Sequence, residues 1–240
     1  RDSFPVLNID KVYLDAFNQI STPGGKRAPS ATESLNNQLF RGVLAVTYLG
    51  HGGAKGWAQE RVLQIPDILG WENSDKLPLF ITATCSFSGY DNPSFTSAGE
   101  LVLLNRKGGG IGLYTTVRAV YASTNETLTR AANSEMYIPE NGQGQCIGEI
   151  LRKAKNKAGG KENSRKFTLL GDPSLRLALP QYQVATTKIN DEEVGIGQPD
   201  TIRALQKVTI SGEVQDNNGN LLESFNGFLF PTIYDKAVTY

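Results

Sequence analysis

Val43-Leu-Ala-Val-Thr-Tyr-Leu49 is an apolar run of strand length that stops abruptly at Gly50-His51-Gly52-Gly53. A strand without polar alternation is the mark of one buried on both faces, as in a parallel sheet. Upstream, Asp10-Lys-Val-Tyr-Leu-Asp15 reads as a short strand with its apolar residues bunched. Ser30-Ala-Thr-Glu33 then has the capping-box spacing, Leu35 and Leu39 share one helical face, and Gly42 stops the helix. The same grammar returns downstream. Leu77-Pro-Leu-Phe-Ile-Thr-Ala-Thr84 is a second buried strand, delivering Cys85 at its C-terminal end. Ser97-Ala-Gly-Glu100 opens a helix through Leu101-Val-Leu-Leu104, Gly108-Gly-Gly110 ends it, and Ile111-Gly-Leu-Tyr-Thr-Thr116 is the next strand. Residues 125–137 and 146–157 read as helices. Strands alternating with helices predict an α/β fold, a mostly parallel sheet with helices on both faces.

The language changes near Pro180. Lys207-Val-Thr-Ile-Ser-Gly-Glu-Val214 alternates, Asp216-Asn-Asn-Gly219 is a hairpin-type turn, and residues 221–240 continue the β character. The reading is therefore an α/β domain over 1–180, N-terminally incomplete, and over 181–240 the beginning of an all-β immunoglobulin-like domain, which when complete needs roughly 100 residues. The chain reads as a piece of a longer protein.

Its 240 residues carry 24 Lys plus Arg against 24 Asp plus Glu, so a basic stripe suited to nucleic acid is not expected. No apolar run approaches the roughly 18 residues of a membrane-crossing helix, and Arg1-Asp-Ser-Phe-Pro5 does not resemble a signal peptide. One histidine, His51, and two cysteines, Cys85 and Cys146, match no zinc spacing, so neither a metal nor a cofactor is expected.

His51 and Cys85 each fall just past the C-terminal end of a predicted strand, where open α/β sheets hold their ligands. A thiolate attacks a carbonyl, and an imidazole helps generate it and later protonates the leaving amine. Gly52 and Gly53 leave amide groups exposed, so the N–H groups of Gly52 and Cys85 can form an oxyanion hole. Each residue also has an ordinary reading: a cysteine after an apolar strand is commonly packing, and a histidine in a glycine turn is commonly a loop residue. Cys146, at a helix start, is read as packing. Gly108-Gly-Gly-Ile-Gly112 precedes a strand, whereas a dinucleotide fingerprint follows one, and Gly52-Gly-Ala-Lys-Gly56 lacks the ending of a phosphate loop. Gln59-Glu60-Arg61 either lines the cleft or is a solvated charge pair. Trp57, Phe87, Tyr90 and Phe95 either shield an acyl-enzyme or pack their loops down.

Tyr48-Leu-Gly-His-Gly-Gly53, Leu79-Phe-Ile-Thr-Ala-Thr-Cys85 and Leu169-Leu-Gly-Asp-Pro-Ser-Leu-Arg176 together resemble the gingipain family of cysteine peptidases. Val12-Tyr-Leu-Asp-Ala-Phe17, Ser21-Thr-Pro-Gly-Gly25, Ala58-Gln-Glu-Arg-Val62, Asp91-Asn-Pro93 and Ser97-Ala-Gly-Glu-Leu-Val102 are most similar to its type IX secretion sortase branch, the PorU-like proteins. The resemblance spans about residues 10–185. It implies a caspase-like fold followed by an immunoglobulin-like domain, with His51 as acid/base and Cys85 as nucleophile. It also implies a place at the outer-membrane surface of Bacteroidetes and removal of C-terminal sorting domains from protein cargo. The freed cargo can pass to a lipopolysaccharide amine, and an outer-membrane β-barrel protein is the partner. The family's acidic third group would lie upstream of residue 1, so no third catalytic residue is assigned, and an Arg or Lys preference at the cleaved bond is not supported. A general secreted endopeptidase and a catalytically silent scaffold are the competing readings.

Overall fold

The computed structural model describes residues 7–140, 142–159, 162–195, 202–203, 205–216, 218–229, 231 and 233. Along the chain, β1 (Ile20–Thr22) and β2 (Gly25–Arg27) form a small hairpin before α1 (Pro29–Arg41) and β3 (Ala45–Leu49). Three two-residue strands, β4 (Gly52–Gly53), β5 (Gly56–Trp57) and β6 (Leu63–Gln64), lead into α2 (Ile65–Leu69). Then come β7 (Leu79–Ala83), α3 (Ala98–Leu104), β8 (Gly112–Thr116), α4 (Ala122–Met136), α5 (Ile147–Lys157), α6 (Glu162–Lys166) and β9 (Phe167–Leu170). Beyond Pro180 are β10 (Gln183–Ile189), β11 (Glu192–Glu193) and β12 (Ile210–Gln215). The chain separates into two compact units, one of Ile9–Leu179 and the other taking in the residues up to Asn8 and from Pro180 onward.

The central sheet has the order β3-β7-β8-β9, with β3, β7 and β8 parallel and β9 antiparallel to β8. Its two faces follow the period-two alternation of a strand. On one face Phe80 and Leu113 pack with Leu35 and Leu39 of α1, Ile68 of α2, Trp71 and Val102 of α3. On the other, Leu79, Ile81 and Tyr114 pack with Ala132 and Met136 of α4 and Ile147, Ile150 and Leu151 of α5. Every residue of β7 and β8 is buried, as their runs predict. The α/β architecture with helices on both faces is thus present.

Several local expectations are corrected. Asp10–Asp15 is no strand: Val12 and Leu14 pack, with Phe17, against Ala28, Ala31 and Val62, and Leu14–Ala16 form a 3-10 turn. Bunched apolar residues here cover the start of α1 instead of joining a ladder. That helix begins at Pro29, whose missing N–H suits a first turn, and Ser30 caps nothing. Its end is as expected, at Gly42 with φ +96°. β3 is the outer strand of the described sheet, with Thr47 exposed and Leu49 52% exposed, so it is not buried on both faces. α3 ends at Asn105, short of Gly108–Gly110. Those glycines answer to crowding, since a Cβ on Gly110 would lie 2.6 Å from the Phe80 ring. β9 has no counterpart among the expected strands.

In the second unit β11, β10 and β12 form an antiparallel sheet in that order. β12 starts at Ile210, three residues later than the alternation suggests, and Asp216 leads the chain into the return at Leu221. Residues 221–229 hold no strand, and the remainder of the expected β segment lies partly outside the described residues. This sheet alone does not establish an immunoglobulin-like domain.

Candidate active site

β3 and β7 run parallel in register from Ala45–Leu79 to Leu49–Ala83. The Gly50 N–H still reaches the Ala83 carbonyl, at 3.4 Å, and then both chains leave the sheet. His51 and Cys85 are thus the second residues beyond a shared register pair, at the C-terminal edge of strands that lie about 4.8 Å apart. Neighbouring parallel strands are what bring the two side chains to one edge.

The His51 backbone is held twice. The Tyr48 hydroxyl donates to its carbonyl at 2.6 Å, and the Ala58 N–H donates to the same oxygen at 2.8 Å. The Ala58 bond makes Gly52 and Trp57 a non-hydrogen-bonded pair, so the Gly52 N–H points away from β5. Gly52 has no room for a side chain: a Cβ would lie 2.6 Å from Thr84 Oγ1 and 2.7 Å from the Gly56 carbonyl. Tyr48 stacks on Trp57 with ring centroids 4.3 Å apart. Burial pushes the Tyr48 phenol up from 10.0 to about 12.

Cys85 is half-buried, its thiol donating to the Val120 carbonyl at 3.8 Å. Ser86, directly after it, is left-handed at φ +50°. That turn is pinned by the strand and loop beyond it, with the Ser86 N–H on the Arg118 carbonyl at 3.1 Å and the Ser88 N–H on that of Thr116 at 3.0 Å. The Cys85 N–H meets no acceptor among the described residues. Arg118 in turn grips Asp91 through both terminal guanidinium nitrogens, and that hydrogen bonding holds the exposed Asp91 carboxyl below its ordinary range. Cys146 stands elsewhere, as the N-cap of α5 bridged to Arg176. Both thiols are free. Among the described residues no group of three His, Cys, Asp or Glu is placed to hold a metal ion.

The model of peptidase family C25 matches residues 1–178. The chain belongs to peptidase family C25. This is the gingipain family of cysteine peptidases. None of the curated proteins matches this C25 chain. Among solved structures it is similar to the Arg-specific cysteine proteinase gingipain R, at 17% identity and a TM-score of 0.54 over 65% of this chain and 39% of that one. It is also similar to the Porphyromonas gingivalis RgpB complex of pro- and mature domains (16%, TM-score 0.51, covering 65% and 40%). A third likeness, to a chain described only as a protease, has 15% identity and a TM-score of 0.53, covering 73% and 43%. These similarities show a shared fold. The C25 chain spans about two fifths of the length of the chains it matches.

Of the four loop aromatics, Trp57 and Phe87 are core residues, packed against each other at 5.6 Å, so they pin the C25 chain's loops. Tyr90 and Phe95 are exposed. Two buried polar atoms beside the edge, Thr84 Oγ1 and Trp57 Nε1, have no hydrogen-bond partner among the described residues. An open cleft of about 620 Å³ lies on the hairpin side of His51, lined by residues that include Gln59 and Arg61 but not Cys85. Tyr48, Val120 and Arg118 had no signal in the sequence beyond strand or loop character, because their contacts close only when the sheet assembles. No helix among the described residues is long and apolar enough to cross a membrane.

Proposed function

We propose that this chain carries the working pair of a cysteine endopeptidase, with Cys85 as nucleophile and His51 as acid/base. The observation that carries the proposal is the register of β3 and β7, which sets both residues at one sheet edge. His51 takes the thiol proton, and the sulfur swings from the Val120 carbonyl to the carbonyl carbon of the substrate. The N–H groups of Gly52 and Cys85 stabilise the oxyanion, a contribution of about 3 kcal/mol or more. His51 then protonates the leaving amine, and a thioester remains on Cys85.

The finer reading is a surface peptidase of the type IX secretion pathway, PorU-like, that removes C-terminal sorting domains from exported cargo. In this reading an outer-membrane β-barrel protein is its partner, a lipopolysaccharide amine can accept the cargo, and the chain after Pro180 opens an immunoglobulin-like domain. The motif strings around Tyr48–Gly53, Leu79–Cys85 and Leu169–Arg176 support it. A general endopeptidase is the second reading, favoured by the likeness to gingipain R. The hairpin-side cleft, however, is lined by Lys55 and Arg61 and by no carboxylate, which does not suit an Arg side chain there.

The test is labelling of the full-length protein with a peptidyl acyloxymethyl ketone. Cys85→Ala is expected to abolish labelling and cargo processing, and Cys146→Ala to leave both intact. Processing by the Cys85→Ala protein would overturn the assignment. Cleavage of unrelated proteins as readily as of sorting-signal cargo would favour the general endopeptidase.

A further inference from the structure

The cleft beside His51 is rich in unanswered positive charge. Lys55 and Arg61 both line it and are exposed, and neither pairs with a carboxylate among the described residues. Arg61 also stands close to a second guanidinium. A Cβ on Gly24 would lie 3.9 Å from Arg61 Nη2 and 3.0 Å from Arg27 Nη2. Among the described residues Arg27 donates only to the backbone carbonyls of Lys26 and Gly24. Like charges brought together without a counter-charge repel, and an anion between them relieves the repulsion. Arg61 is held in the left-handed region at φ +54°, its N–H bonded to the Ala58 carbonyl. A backbone held so at a cleft wall fits a binding role. The buried Trp57 Nε1, without a partner among the described residues, belongs to a residue of the same lining. Glu60, the nearest acid in sequence, lies outside the lining and acts on Tyr48.

Which part of a substrate reaches this cleft follows from proton transfer. The imidazole that protonates the leaving amine must lie against it. The peptide after the cleaved bond therefore extends on the His51 side, over the hairpin. The cleft borders His51 and not Cys85, which places it on that leaving side. We infer that the Lys55–Arg61 cleft is a subsite for an acidic residue, Asp or Glu, C-terminal to the cleaved bond. A guanidinium matches a carboxylate bidentately, which selects it over an amide of the same shape.

This inference rests on the peptidase reading, and a binding measurement separates the two. The full-length Cys85→Ala protein is titrated with fluorescent peptides spanning a cleavage site, identical except for Glu or Gln at each position after the bond. At one position the Glu peptide is expected to bind at least about tenfold more tightly. Arg61→Gln combined with Lys55→Gln should erase the difference, and Arg61→Lys, which keeps the charge but not the bidentate fork, should keep only part of it. Equal binding of the Glu and Gln peptides, or a preference that survives the double substitution, overturns the subsite. Wild-type protein that cleaves none of the peptides while the preference holds overturns the peptidase reading alone. Cleavage without any acidic preference does the reverse.

Discussion

Tyr48 shows how much a single half-buried side chain does at this edge. It donates to the His51 carbonyl at 2.6 Å and lies flat on Trp57, so it joins the histidine backbone to the core. Burial is the main reason its phenol is raised from 10.0 to about 12. The folded state therefore holds this proton more tightly than the unfolded chain, whose tyrosine titrates near 10. Tyr48 thus contributes stability that is complete below about pH 10 and is lost as the pH climbs toward about 12. Urea unfolding at stepped alkaline pH should show that loss, and Tyr48→Phe should show a shallower one. Burial raises Tyr114 as well, so some alkaline loss remains in the variant. At neutral pH Tyr48→Phe should cost about 1 kcal/mol, a typical hydrogen bond. Identical alkaline slopes in both proteins would remove Tyr48 from this role. The placement of His51 and Cys85 at one sheet edge was legible in the sequence because each follows an apolar run of strand length. Tyr48 was hidden inside such a run, where it reads as one more core residue. Val120 and Arg118 act through backbone carbonyls, which carry no residue-type signature at all.

Among the elements, α3 ties the hairpin to the cysteine loop. The Ala98 N–H at its start donates to the Ala54 carbonyl, and the Gly99 N–H donates to that of Phe87. Its first turn depends on Glu100, whose carboxylate accepts from the Ser97 N–H at 2.8 Å and the Ser97 hydroxyl at 2.5 Å. Ser97 is fully buried, so removing the acceptor strands two donors away from water. Glu100→Ala is therefore expected to cost about 1–3 kcal/mol, read from the urea midpoint. It should also speed hydrogen exchange in the hairpin at 52–57. A change within experimental error would mean that water replaces the carboxylate. This helix was legible because the capping-box spacing reports a local interaction. The same spacing at Ser30–Glu33 misled, because Pro29 at the first helical position starts α1 two residues sooner, with Ala28 in the cap position. β7 and β8 were legible because burial on both faces leaves only apolar and small residues. β3 carries an equally apolar stretch and yet lies at the outside of the described sheet. Strand order cannot be read from composition, since it depends on which strands pair.

At the scale of the molecule, the fate of the thioester that the proposed mechanism places on Cys85 depends on what can approach it. Trp57 and Phe87 lie in the core and hold the hairpin and the cysteine loop down, while Tyr90 and Phe95 remain exposed. Water competes at about 55 M, so an amine wins only if it is bound beside the carbonyl. Preorganisation can supply effective molarities on the order of 10⁵ M. By microscopic reversibility the acceptor amine enters where the leaving amine departed, next to His51. That is the open, cationic side of the edge, where about 620 Å³ of cleft is free to receive it. On the proposed sortase reading, the full-length enzyme is expected to transfer cargo to an amine as well as to hydrolyse it. Sorting-signal substrate is mixed with enzyme and graded amine, and the products are weighed by mass spectrometry. The amide product should rise with amine concentration at the expense of the free acid. Because the cleft is positive, an amine that carries a nearby carboxylate should compete better than a neutral one of the same size. Free acid alone at every amine concentration, formed at an unchanged rate, would leave a peptidase whose thioester only water resolves.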